Sequence, residues 1–274
     1  MKKQLIIHAD DAGLSHAENL ATINGLKNGC ITSYSIMAPC AWSYEMAQFA
    51  IANTQYDCGV HLTLTCEWNT YKFGPILSKS VVPSLVDENG FFHKKRHLFL
   101  ERCKIDEVRL ECEAQIDYLL NLGVQLTHID SHMFTLGLSP ELLQVYRDLG
   151  KKYNLPIFLN KALINHFTPN MSEYILETDF CIDHFIMGDW NDFEKGGLAN
   201  FYDKSIQYLK PGTSIVLIHP AFDGDEMQGI CVDHPNFGAE WRQIDSDFFS
   251  SESCKNSIDK NGIQLTNWKQ IQSK

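Results

Sequence analysis

In Leu5-Ile6-Ile7-His8-Ala9-Asp10-Asp11-Ala12-Gly13-Leu14-Ser15, an apolar run gives way to two carboxylates, then a glycine and a serine. Leu5–Ile7 predicts a buried strand. Ser15 stands where a helix N-cap belongs, and Glu18 three residues on completes a capping-box pattern before a helical stretch ending near Gly29. Strand, polar turn and helix in this order make the first half of a βαβ unit. Two adjacent carboxylates after a buried strand also carry a cost, because a buried charge is strongly unfavourable unless it is paired or metal-bound. An N-cap or Asx-turn explains such residues equally well when they are taken alone.

The same alternation continues outward. Ile31–Met37 is β-rich, Ser43–Ala52 helical, and Cys58–Leu64 reads as a third strand. Lys104–Leu122 is amphipathic, with apolar residues at 105, 108, 112, 116, 119 and 120. Val124–Ile129, Pro156–Leu159, Thr178–Met187 and Ser214–Ile218 supply further strands, with helices at Pro140–Lys152 and ending at Ile206–Leu209. Six or seven strands interleaved with helices fit two architectures: an open doubly wound sheet, or a deformed TIM-like (β/α) barrel of seven or eight strands. From about 66 to 100 the regularity lapses around Gly74, Pro75, Pro83 and Gly90, which marks an insertion over one end of a single domain spanning 1–274.

Bulk properties exclude several function classes. The net charge of −11 argues against a nucleic-acid surface. No apolar stretch reaches the ~18 residues of a membrane span, and none of useful length follows the amino-terminal lysines to make a signal peptide. The nine cysteines contain no CxxC pair, so free, mostly buried thiols in the cytoplasm are expected. No GxGxxG follows the first strand and no GxxxxGK[ST] occurs, which disfavours a bound nucleotide.

Chemistry-bearing residues collect at strand ends: His8 to Asp11, His61 within Gly59-Val60-His61-Leu62-Thr63, the run Thr127-His128-Ile129-Asp130-Ser131-His132, and His219-Pro220 after the strand Ser214–Ile218. Consecutive residues on an extended segment point oppositely, so Asp10 and Asp11 are expected to have different roles. His128, Asp130 and His132 lie at i, i+2 and i+4 and share a face. One carboxylate with two histidines is a common ligand set for a divalent ion with open positions for water and substrate. Trp68, Tyr71, Phe73 and Trp190 read as loop or core anchors that could also stack on a sugar face. His8 and His184 read as structural, and Asp223, Asp225 and Glu226 as a solvated acidic patch.

In these motifs the chain resembles the YdjC-like carbohydrate deacetylase family, the group that includes chitooligosaccharide deacetylases. The resemblance rests on residues 9–15, 59–65, 127–132 and 219–220, and on Ser84-Leu85-Val86-Asp87 with Gly90 in the insertion. It implies the deformed barrel and a divalent ion (Zn²⁺, Mg²⁺, Mn²⁺ or Co²⁺) held by Asp11, His61 and His128. Asp10 would be the general base and His219 the general acid, with Asp130 and His132 orienting a ligand histidine or the sugar. The reaction it implies is hydrolysis of an N-acetyl group from an amino sugar or short oligosaccharide, releasing acetate. The chain departs from the family where Met133-Phe134-Thr135 follows Asp-Ser-His in place of a His-rich run. It departs again on the strand Pro156-Ile157-Phe158-Leu159-Asn160-Lys161, which lacks an arginine many members carry, and Lys161 is the candidate substitute. Hydrolysis of another amide or a phosphoester, or sugar binding without turnover, are the competing functions. The expected partner is a small carbohydrate, and a two-fold homodimer is the commonest assembly.

Overall fold

The computed structural model describes residues 2–272. Seven strands form one sheet: β1 (Lys3–Ala12), β2 (Ser33–Ile36), β3 (Asp57–Leu62), β4 (Ile129–Ser131), β5 (His184–Ile186), β6 (Gly212–Ile218) and β7 (Gln264–Leu265). The order is β4-β3-β2-β1-β6-β5, every pairing is parallel, and β7 joins β1 at Gln4 and Leu5. Parallel strands need helical crossovers that cover the sheet, which is why β1 reads as an unbroken apolar run: Leu5, Ile6, Ile7 and Ala9 are all buried.

The two outer strands do not end as open edges. The Phe158 N–H donates to the Ile129 carbonyl at 2.9 Å, and the Ile182 N–H donates to the Leu159 carbonyl at 2.9 Å. Residues 156–159 therefore link β4 to the chain entering β5 and close a deformed barrel. The strand expected there is reduced to one bridge, Ile129 with Ile157, and Pro156 has no N–H to give a ladder.

Helices at His16–Asn28, Ser43–Ala52, Ile105–Leu122 and Pro140–Tyr153 follow the sequence expectation closely. Val108, Cys112, Ile116 and Leu119 form the buried stripe of the long helix, and Gly123, at φ 98°, ends it in a left-handed cap. Two glutamates of that helix stitch down the insertion. Glu111 accepts the Ile76 and Leu77 N–H groups, and Glu107 accepts that of Ser84. The insertion also contains a 3₁₀ turn at Pro83–Leu85 and a helix at Arg96–Arg102.

Beyond residue 218 the chain forms helices that the sequence pattern did not delimit, including Asp225–Ile230, Ala239–Phe249 and Glu252–Lys260. They pack across the first βα unit. Glu226, expected to be solvated, accepts the His16 and Ala17 N–H groups at the start of the first helix. All nine cysteines are free, and seven are buried. No helix among the described residues is long and apolar enough to cross a membrane.

Candidate metal centre and active-site pocket

A cavity of about 420 Å³ opens where the carboxyl ends of the strands meet the insertion. Asp10 and Asp11 both line it. Simple alternation along β1 would have sent one of them away. The β1–β2 register slips between Ala9 and Ala12, and Asp11 adopts φ 63°. This bulge re-aims the second carboxylate into the mouth of the barrel. Aspartate is among the few residues that tolerate the left-handed conformation.

Asp11 is the centre of a buried cluster. His61 Nε2 lies 3.2 Å from its Oδ1, and His132 Nδ1 lies 3.1 Å from the same oxygen. The outer nitrogen of each ring meets another carboxylate: His61 Nδ1 stands 2.7 Å from Asp130 Oδ1, and His132 Nε2 stands 3.0 Å from Glu67 Oε2. Arg242 donates to Asp11 Oδ2 at 2.9 Å and also pairs with Glu18. One oxygen of Asp11 is thus held by the guanidinium while the other faces two imidazoles.

Protonation follows from this crowd of carboxylates. Burial alone would raise the Asp11 carboxyl, but the charge and hydrogen bond of His132, with help from His61 and Arg242, hold it well below the usual range. Burial alone would lower both histidines. Asp130 and Asp10 instead raise His61 well above its ordinary value, and Glu67 and Asp11 raise His132 to about 9. The cluster demands positive charge at its centre. Asp11, His61 and His132 have ligand atoms within 4.8 Å of one another, and two imidazoles with one carboxylate suit a divalent ion. Carboxylates behind ligand histidines are the outer partners that fix ring orientation in metal sites. The residues present fit the ion.

His128, expected as a ligand, is not brought into this cluster. Residues four apart on an extended strand are separated by about 13 Å, so His128 and His132 cannot reach the same ion from one straight segment. His128 lies deeper in the barrel, fully buried, its ring stacked on Trp268 at 4.9 Å. Its other face meets Gly59, where a Cβ would come within 2.4 Å of Nε2. Burial lowers its pKa, and its Nδ1 is 2.8 Å from the Thr127 hydroxyl. Its Nε2 lies 3.6 Å from Asp130 Oδ2, and His8, His128 and Asp130 form a separate group of possible ligand atoms deeper in the barrel. β4 begins only at Ile129, so the strand expected at Val124–Ile129 sits several residues further on and delivers Asp130 to the pocket.

Six histidine and carboxylate positions taken from strand ends, Asp10, Asp11, His61, Asp130, His132 and His219, therefore line one cavity, with His132 as the third nitrogen-bearing partner of Asp11. The matching family is the YdjC-like protein family, over residues 4–260. The chain belongs to it. It is 30% identical over 268 residues to the carbohydrate deacetylase of Thermoanaerobacter pseudethanolicus, covering 97% of this chain and 98% of the relative. It is 31% identical to the carbohydrate deacetylase of Enterococcus faecalis, covering 98% of each. A crystal structure from Enterococcus faecalis V583, of a protein named for cellobiose-phosphate cleavage, superposes with a TM-score of 0.80 at 27% identity over 99% of both chains. The peptidoglycan deacetylase PdaC of Bacillus subtilis (D285S mutant) shares the fold, at TM-score 0.51 and 13% identity, over 99% of this chain and 91% of that one.

Other members of this YdjC-like pocket divide clearly. His219 follows β6, and its Nε2 stands 3.7 Å from Asp10 Oδ2. Burial pushes its imidazole down to about 4, and its Nδ1 has no hydrogen-bond partner among the described residues. Its backbone N–H donates to Asp245 at 2.8 Å. Lys161 is not brought to the site. It is exposed at the start of the helix Lys161–Phe167, while Asn160 caps that helix through the Leu163 N–H and Phe158 lines the cavity. Met133 and Phe134, in place of the His-rich run, both take φ near 50°. This turns Phe134 to stack on Phe167 at 6.0 Å.

Of the aromatic residues, Trp68 and Trp190 line the cavity, whereas Phe73 is core and Tyr71 donates its hydroxyl to the Leu14 carbonyl. Sequence reasoning missed Arg242, Glu18 and Glu67 as parts of the site. The Ser15 hydroxyl does accept the Glu18 N–H, at 3.0 Å, but the Glu18 carboxylate turns to Arg242. The second half of the predicted capping box is thus spent on the site.

Proposed function

We propose that the chain is a divalent-metal-dependent hydrolase that removes an N-acetyl group from an amino sugar or short N-acetylated oligosaccharide. The observation that carries this is the meeting of Asp11, His61 and His132 at the floor of a pocket in which Asp10 and His219 stand side by side. The names of the curated relatives, carbohydrate deacetylases, support the same chemistry.

Asp11, His61 and His132 would hold the ion, with Arg242 occupying the second oxygen of Asp11. A divalent ion there supplies Lewis-acid polarisation of the amide carbonyl and a more acidic water. Asp10 would take a proton from the attacking water as the water oxygen bonds to the carbonyl carbon. The adjacent His219 Nε2, once protonated from solvent, would deliver that proton to the leaving nitrogen as the C–N bond breaks, giving acetate and the free amine, and Asp10 would return its proton to solvent. An imidazole whose pKa is depressed by burial is a strong proton donor once charged, which suits protonation of a poor leaving group. Phe167, Trp190 and Phe237, which line the cavity without being fully buried, offer flat apolar surfaces against which a pyranose face would pack.

The test is acetate release from a panel of N-acetylated mono- and oligosaccharides, with Zn²⁺, Mg²⁺, Mn²⁺ and Co²⁺ added back in turn. Acetate from at least one sugar, lost in Asp10→Asn that still binds the ion, is the expected result. No acetate from any sugar, with turnover of another amide or a phosphoester, would overturn the proposal.

A further inference from the structure

We infer that His8 is a positioning residue for this reaction, steadying Asp10 from below the pocket floor by bridging it to Asp130. The inference rests on the reading of Asp10 as base.

His8 and Asp10 lie two apart on β1, so their side chains leave the strand on the same side. His8 is buried and not among the cavity-lining residues, so it reaches the chemistry only through its neighbours. Its Nε2 lies 3.1 Å from Asp10 Oδ1 and 2.8 Å from Asp130 Oδ2. Nδ1 lies 2.9 Å from the Ser33 hydroxyl, and the Ser35 hydroxyl is 3.2 Å from Nε2. The β1–β2 register sets His8 opposite Ser33, so two hydroxyls of the neighbouring strand fix the ring before it meets either carboxylate.

Two carboxylates converging on one ring nitrogen inside a barrel are costly unless the ring gives them a hydrogen and a compensating charge. The other nitrogens facing Asp10 are too distant to hydrogen-bond: His219 Nε2 at 3.7 Å and His61 Nδ1 at 4.0 Å. The orientation of the base therefore depends on His8. Asp130 continues the chain of contacts to His61, so Asp10, His8, Asp130 and His61 form one connected line from base to ion site. The segment 156–161 places Phe158 at the cavity and leaves Lys161 in solvent, so it brings no donor to Asp10. The group that steadies Asp10 comes from β1.

The test compares the parent enzyme with His8→Leu, His8→Asn and Asp10→Asn, all metal-loaded, measuring acetate release and bound ions per chain. His8→Leu is expected to lower kcat by about 100-fold, the scale of a misplaced catalytic group, with KM and ion content within about threefold of the parent. His8→Asn, which keeps a side-chain N–H, is expected to recover about tenfold of that loss. Loss of the ion in either variant, or KM moving as far as kcat, overturns the inference. Equal kcat for the Asn and Leu variants does the same. If His8→Leu does not fold, His8→Asn decides alone: an unchanged kcat overturns, and a fall of about tenfold at constant KM supports. Asp10→Asn separates the two claims. Activity retained there refutes the base itself, whereas an inert Asp10→Asn beside fully active His8 variants refutes only the positioning.

Discussion

Arg242 and Asp11, 231 positions apart in the chain, meet in a 2.9 Å ion pair inside the barrel mouth. The pair joins the bulged end of β1 to the helix Ala239–Phe249, and the same guanidinium reaches Glu18 on the first helix. Its Nε donates to the Phe237 carbonyl at 2.8 Å, and the guanidinium carbon lies 5.4 Å from the centre of the Trp68 ring. All three nitrogens of this cation and one of its faces are therefore occupied. One side chain holds together three segments that are remote in sequence.

Arg242→Leu should be severe, because it leaves Asp11 and Glu18 buried without their partner. Breaking one side of a buried pair costs about 3–5 kcal/mol. Urea unfolding of the metal-free protein measures this. Added divalent ion should return part of the stability, since an ion bound only by the folded state stabilises it by mass action. A loss below about 1 kcal/mol would show that Arg242 contributes no more than a surface pair.

Asp245 gives a pH-dependent prediction. It accepts the Tyr202 hydroxyl at 2.6 Å and the His219 N–H at 2.8 Å, and burial pushes its carboxyl up to about 7. A raised folded pKa contributes stability that is present below the unfolded value and lost as pH climbs to the folded one. Burial pushes His219 down to about 4, and the sign is opposite: its contribution is present above the ordinary histidine value and lost as pH falls toward 4. In Asp245→Asn only the first contribution disappears. Between about pH 4.5 and 6.5 the stability of the variant should rise relative to the parent by about 1.4 kcal/mol per pH unit, one proton's worth. Parallel curves from urea titrations across that range would contradict the assignment.

Much of the barrel was legible because its signals are local. Leu5–Ile7, Cys58–Leu64 and the stripe of the helix Ile105–Leu122 carry their burial in their own spacing. The site was legible in part for the same reason: strand ends that finish in Asp and His have few purely structural explanations. The choice between His128 and His132 was not local. It depends on where β4 begins and on Gly59 leaving room for the His128 ring against Trp268, 140 positions downstream. The shared direction of Asp10 and Asp11 depends on a bulge that alternation cannot foresee. Arg242 sits inside a helix with no motif around it, and its meaning exists only once Glu18 and Asp11 are beside it.

The central claim is that Asp11, His61 and His132 form the ion site, with His128 behind it. Bound divalent ion per chain, measured by elemental analysis of folded His132→Ala and His128→Ala after metal loading and dialysis, tests it directly. The account predicts that His132→Ala loses the ion while His128→Ala keeps it. Retention in His132→Ala with loss in His128→Ala would contradict the account and return the third ligand to His128.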